Sequence, residues 1–236
     1  MVDFTGGTWR SLIDGSEVVA IPDSAIYYWD PSEFADPWVD EVVDEEMSVS
    51  GLSSSAFDDG TDAVEGGGSD DGTAPNIDLR NNEMTIEYEI QTTTSDEQFV
   101  MGSVNSSGDT RGFMSGINGT TGGGDSEGDI GLWITDSNGN QLEIGGSVNI
   151  NNGEKRKVTF KIPDASNNEI DLIVDGEFED IELLQAESPN AEDMSDDIDQ
   201  PQVGYWGRFL DGSMIAELDG KLGTIIFHDE AVDQTI

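Results

Sequence analysis

Every second residue of Met84-Thr85-Ile86-Glu87-Tyr88-Glu89-Ile90 is apolar and the residues between are polar, the period of a β-strand buried on one face. The same alternation returns in Ile130, Leu132 and Ile134, in Val158, Phe160 and Ile162 with Arg156 on the same parity, and in Ile170, Leu172 and Val174. Shorter apolar runs over 98–104, 112–117, 203–207, 214–218 and 222–227 predict further strands. Turn chemistry separates them: Asn138-Gly139 leads into Gln141-Leu142-Glu143-Ile144, Asn152-Gly153 precedes the strand at 155–162, and Asp175-Gly176 follows Val174. A helical period is almost absent, so the pattern predicts an all-β fold, an antiparallel β-sandwich or barrel.

Before residue 80 the pattern is looser. Residues 1–46 hold short apolar groups such as Val18-Val19-Ala20-Ile21 and Ala25-Ile26-Tyr27-Tyr28-Trp29, broken by Asp14-Gly15, Pro22, Pro31 and Pro37, which suits short strands and turns. Residues 48–76 are rich in Gly, Ser and Asp and read as a long solvated loop with one strand near 54–57. The acidic stretch 187–199 reads as a second solvated loop.

Charge changes the picture most. The chain carries 51 acidic and 9 basic residues for a formal charge of −42 over 236 residues. Molar salt shortens the Debye length to about 3 Å and removes most of the resulting repulsion, so the composition points to a protein of brine. Disorder is the competing explanation of such acidity, but 5 Trp, 4 Tyr, 9 Phe and the alternating segments argue for a packed core. Nucleic acid is excluded as a partner, because a phosphate backbone needs clustered cations. The one basic group, Lys155, Arg156, Lys157 and Lys161, reads as a strand whose solvent face bears Lys155 and Lys157. There is no Cys, hence no disulfide and no thiolate metal site. No apolar stretch approaches a membrane span, and Met1-Val2-Asp3-Phe4-Thr5 lacks the charged and apolar regions of a secretory signal.

The order of these pieces resembles a laminin G-like domain of the concanavalin A-like lectin and glucanase superfamily. The opening strand 84–90 with Gln98-Phe99-Val100-Met101-Gly102 resembles the paired early strands of that family. Asn152-Gly153-Glu154 before Val158-Thr159-Phe160 resembles its central turn and strand, with Lys155 and Arg156 where the family usually has Trp-His. Asn168 to Gly176, Val203-Gly204-Tyr205-Trp206-Gly207 and the run from Leu218 to Val232 are similar to its later strands. The resemblance implies a jelly-roll β-sandwich over 25–236, regular from 81, with residues 1–24 as an N-terminal extension or anchor.

Chemistry is sparse. Glycoside hydrolysis needs two carboxyl groups across the scissile bond, and Glu169, Asp171 and Asp175 are the best set, without the closely spaced second Glu of the hydrolase motif; no catalytic residue is assigned. The resemblance brings calcium into view, and Asp125-Ser126-Glu127-Gly128-Asp129 and Asp70-Asp71-Gly72 offer oxygen ligands, but no recognisable loop pattern, so no cofactor or metal is assigned. His228 is the lone histidine and reads as the residue closing the last strand.

Sugar binding fits better. Trp133 has opposite parity to Leu132 and Ile134 and should face away from the core, and one of the adjacent Tyr205 and Trp206 should do the same, offering flat rings on which sugars stack. The plainer reading is that a second layer or the long loops cover them. These observations lead to the expectation of a non-enzymatic structural protein on the surface of a haloarchaeal virion, a capsid decoration, turret or tail-associated protein. It would assemble with other virion proteins and with copies of itself and contact host-surface glycans. The alternative is a secreted or cell-surface carbohydrate-binding module of a halophile. The charge count predicts that the thermal unfolding midpoint, followed by circular dichroism, climbs as KCl is raised from about 0.1 M to about 3 M. A level midpoint would show that surface repulsion does not limit this fold.

Overall fold

The computed structural model describes residues 8, 9, 20–44, 46–67, 71–73, 81–96, 98–102, 112–118, 128–193, 208–210, 213–215 and 219–232. Its strands, in chain order, are β1 (Thr8–Trp9), β2 (Ala20–Ile21), β3 (Ala25–Trp29), β4 (Trp38–Val39), β5 (Glu46–Ser50), β6 (Ser53–Ala56), β7 (Asp62–Gly67), β8 (Asp71–Thr73), β9 (Met84–Gln91) and β10 (Gln98–Gly102). They continue as β11 (Phe113–Ile117), β12 (Ile130–Thr135), β13 (Gln141–Gly146), β14 (Arg156–Asp164), β15 (Glu169–Val174), β16 (Glu177–Phe178), β17 (Ile181–Ala186), β18 (Arg208–Leu210), β19 (Ser213–Ile215) and β20 (Asp219–His228). Only single 3-10 turns interrupt them among the described residues.

Two sheets carry the structure. One has the order β10-β11-β12-β13-β17; the other runs β16-β15-β14-β9-β20-β7-β6, with β3 also paired to β20. Their strands pair antiparallel throughout, so the expected antiparallel β-sandwich is the architecture found. The parities read from the sequence are the ones that build it. Ile86, Tyr88 and Ile90 of β9, Val158, Phe160 and Ile162 of β14, and Ile170, Leu172 and Val174 of β15 meet Ile130, Leu132 and Ile134 of β12 in one core.

The two layers are joined by more than apolar contact. The Tyr88 hydroxyl on β9 lies 2.7 Å from the Ser115 Oγ on β11, both buried, so a hydrogen bond crosses the sandwich. Burial pushes the Tyr88 phenol far above its ordinary range, which keeps it protonated as a hydrogen-bonding hydroxyl. Nearby, Phe113 of β11 meets Phe227 of β20 edge-on at 6.0 Å, and Trp29 of β3 meets Phe227 at 6.2 Å. At Gly146 the sheets approach so closely that an added Cβ would collide with Leu172 Cδ2.

Outside the core, Ile21, Ala25 and Tyr28 form a second small cluster against Ile226, on the face of the large sheet away from the other layer. His228 closes β20, as expected, and is buried. Its Nδ1 lies 2.9 Å from Ser24 Oγ, and burial lowers its basicity.

Three sequence expectations need correction. Much of 48–76 is paired strand: β6 is the strand expected near 54–57, but β5, β7 and β8 also fall there and add to sheets by backbone hydrogen bonds that need no apolar alternation. The strand at 181–186 lies beyond the sequence expectations, because Leu183 and Leu184 are consecutive and most of the strand is exposed, so no apolar alternation marks it; its pairing with β13 also carries a bulge. The strand expected at 155–162 begins at Arg156 and continues to Asp164. The expected strand at 203–207 lies outside the described residues.

The cross-sheet hydrogen bond predicts a double-mutant cycle. Tyr88→Phe strands the Ser115 hydroxyl in the core and should cost about 1–3 kcal/mol in denaturant unfolding. Adding Ser115→Ala should recover most of that loss; equal, additive losses would show that the pair does not couple the layers.

Candidate functional site

The outward face of the five-stranded sheet gathers the unusual side chains. On β12 the alternation that buries Leu132 and Ile134 turns Gly131, Trp133 and Thr135 to the opposite face. The register then names their neighbours: Trp133 stands between Met114 on β11 and Glu143 on β13, Thr135 faces Gln141, and Glu143 faces Gln185 on β17. Gly116, Gly131 and Gly145 lie side by side across β11, β12 and β13, forming a row without side chains next to the tryptophan. Phe99 lies over the Gly116 end of that row, close enough to crowd a Cβ there.

This face is sheltered but not closed. Met114, Thr135 and Glu143 are 1%, 2% and 8% exposed, whereas Trp133 is half-buried. β18, in the β18–β19 hairpin, runs beside β10 at one side of the sheet. The sequence expectation therefore holds for the direction of Trp133, and the plainer reading holds for part of its surroundings, which are covered. Tyr205 and Trp206 lie outside the described residues.

Among the described residues, two polar atoms on this face have no partner. The Trp133 indole N–H and the Thr135 hydroxyl are both buried and unbonded. An unmet donor costs about 1–3 kcal/mol, and the Trp29 indole N–H in the sandwich core is unbonded as well. Neither Thr135 nor Glu143 was singled out by the sequence, since their relation to Trp133 exists only through the strand register.

The adjoining turn holds the hairpin in place. Asp136 Oδ1 accepts from the backbone N–H groups of Asn138 and Asn140, each at 2.9 Å, and Oδ2 accepts from the Asn140 amide at 2.8 Å and from the Asn190 N–H at 3.1 Å. Burial draws this carboxyl upward, but the Asn140 side chain with the N–H groups of Asn190, Asn140 and Asn138 outweighs it and holds the group below the ordinary carboxylate range. Gly139 takes the left-handed conformation, φ 85°, that the turn requires.

Elsewhere the sequence-derived sets do not converge. Glu169 is exposed and Asp171 half-buried opposite Lys161, while Asp175 sits in the following turn, bound to the Arg156 guanidinium at 2.8 Å and the Lys157 N–H at 2.8 Å. A carboxylate so engaged is part of the scaffold. Of the candidate oxygen ligands, Asp125, Ser126, Glu127 and Asp70 fall outside the described residues, and among the described residues no group of three or more His, Asp or Glu side chains is arranged to hold a metal ion.

No protein family matches the sequence, and no curated protein does. Solved structures do match its fold. The binding domain of Paraclostridial Mosquitocidal Protein 1 superposes with a TM-score of 0.62 at 11% identity, covering 89% of this chain and 50% of that one. Domain 4 of AbnA, an extracellular arabinanase of Geobacillus stearothermophilus solved with arabinotriose, gives 0.59 at 10% identity over 89% of this chain and 94% of its own. The carbohydrate-binding module of a Ruminococcus gnavus sialidase gives 0.50 at 16% identity over 66% of this chain and 80% of its own. This chain spans about half the length of the mosquitocidal binding domain. None of these three is a virion protein, so the expected virion role draws no support from them; what this chain shares with them is the β-sandwich fold.

Proposed function

We propose that this chain is a non-catalytic glycan-binding module that works in concentrated salt, with its binding site on the outward face of the five-stranded sheet. The observation that carries the reading is Trp133: a half-buried ring turned away from the core, its N–H unpaired, beside a second unpaired donor on Thr135 and the Glu143 carboxylate. A flat apolar ring bordered by donors and acceptors is the combination a sugar needs, because pyranose and furanose rings offer C–H faces for stacking and hydroxyls at their rims.

The fold supports the same reading. The arabinanase domain was solved with arabinotriose, and the sialidase domain is a carbohydrate-binding module. Of the two expectations from sequence, the sugar-binding module is therefore the one we adopt over the virion component. The acidic exterior supports placing the module in brine.

Binding of arabinotriose and a panel of oligosaccharides, measured by calorimetry in molar KCl, tests this. Trp133→Ala should weaken the affinity by about ten-fold or more, the usual consequence of truncating an anchoring tryptophan. Undiminished binding would remove this face from the site. With the same sugars, the protein should release no reducing ends; turnover abolished by Glu169→Gln would instead make it a hydrolase.

A further inference from the structure

His228 is the lone histidine of the chain, and it lies buried on the face of the large sheet away from the other layer. Its register neighbours are Thr85 on β9 and Ala25 on β3. Two segments adjoin it. After β20 the chain is tied to the start of β9: the Asn81 amide donates to the Asp229 carbonyl at 2.8 Å and the Thr85 hydroxyl to the Glu230 carbonyl at 2.9 Å. The N–H groups of Ala231 and Val232 donate to Glu83 Oε1 at 3.2 Å and to Thr85 Oγ1 at 3.0 Å. On the β3 side stands the turn 22–24, closed by the Ala25 N–H donating to the Pro22 carbonyl at 3.0 Å, with Ser24 Oγ 2.9 Å from His228 Nδ1.

The turn has little apolar support. Ile21, Ala25 and Tyr28 pack on Ile226 as a cluster separate from the main core. The segment 229–232 thus rests on four hydrogen bonds to residues 81–85, whereas the turn rests on that small cluster, the head of β3 and the imidazole.

We infer that His228 is a proton-operated latch: neutral, it holds the turn 22–24 against β20, and protonated, it lets that turn come away while the sandwich stays folded. A hydroxyl both donates and accepts, so the Ser24 contact by itself tolerates either form of the ring. The surroundings do not. Nε2 is buried without a hydrogen-bond partner, 3.9 Å from Glu87 Oε1, and Glu87 is already engaged by Lys157. An imidazolium in this position is a buried charge whose nearest carboxylate is shared with a lysine.

Burial acts most strongly on the ring and lowers its basicity. Glu87 from β9 opposes that effect, Lys157 from β14 reinforces it, and Glu230 and Asp229 from the segment after β20 oppose it more weakly. On the turn itself the charged neighbour is Asp23, which is exposed. Opening the turn returns the ring to water and to its ordinary pKa of about 6.5. The closed state therefore binds fewer protons than the open one. Its advantage is complete above about pH 6.5 and is lost as pH falls from there toward the lower pKa of the closed state. Because the cluster beneath the turn is separate from the core, the loss is local.

A single histidine gives one imidazole signal by NMR, which reports the latch in the intact protein in molar KCl. The ring should titrate below about 6.5. Amide hydrogen exchange at Asp23, Ser24 and Ala25, corrected for the intrinsic effect of pH, should quicken about ten-fold or more between about pH 7.5 and about pH 5, with β9 and β14 still protected. His228→Gln should abolish this pH response; a response that survives in the folded variant assigns it to a carboxylate and overturns the latch. Titration at or above about 6.5, unchanged exchange at the turn, opening at 229–232 in its place, or loss of protection throughout the sandwich would each overturn it as well. Should His228→Gln fail to fold, the wild-type titration and exchange decide alone.

Discussion

Keeping carboxylates apart is the constraint on which the rest of this structure depends. With 51 acidic and 9 basic residues, the chain can form few ion pairs, and one of them reaches a buried carboxylate. Glu87 on the central strand β9 is 7% exposed, and Lys157 meets it from the neighbouring β14. Glu89, two residues on, receives Lys155, which also lies 4.6 Å from the centre of the Phe57 ring. Carboxylates at the surface need no such partner in brine, because dissolved cations screen them. The basic cluster does lie on the solvent face of β14, as the sequence suggests, and from there Lys157 and Lys155 reach Glu87 and Glu89 of β9.

That arrangement divides labour between the layers. The eight-stranded sheet holds the charge pairs and, through β3, the aromatic group of Trp29 and Phe227. The strands of the five-stranded sheet contain no lysine or arginine, and Trp133 and Thr135 stand on its outward face. Rigidity reaches that face from two directions. The Tyr88–Ser115 hydrogen bond fixes β11 to the layer below, and Asp136 fixes the turn joining β12 to β13 while also binding the backbone of Asn190. A site on the register between β11, β12 and β13 inherits this precision.

The core strands were legible because one side of each is buried and the other is not. Tyr88, Phe160 and Leu172 could be assigned to the interior from parity alone, and Asp175-Gly176 to a turn, where both residues have positive φ, 53° and 84°. Around 46–67 only the strand near 54–57, found as β6, was legible, and its neighbours were not, for a physical reason. Ser53, Ser54 and Ser55 pair with Glu65, Val64 and Ala63 through the backbone at a sheet edge, where most of their side chains meet water and carry no pattern. β17 escaped for a related reason: Leu183 and Leu184 are consecutive and most of the strand is exposed, so no apolar alternation marks it.

The site was legible one residue at a time. Parity turns Trp133 outward, but nothing in the order of the chain brings Glu143 beside it or lines up three glycines from three strands. Those relations follow from hairpin register, which the Asp136 turn sets and which a shift of one residue would destroy by exchanging the two faces of the sheet. Such a slip would turn Leu142 and Ile144 to the outside and carry Glu143 into the core. The apolar alternation that builds the sandwich thereby also enforces the composition of its outer face. Selection for a well-packed interior and selection for a placed tryptophan act on the same register.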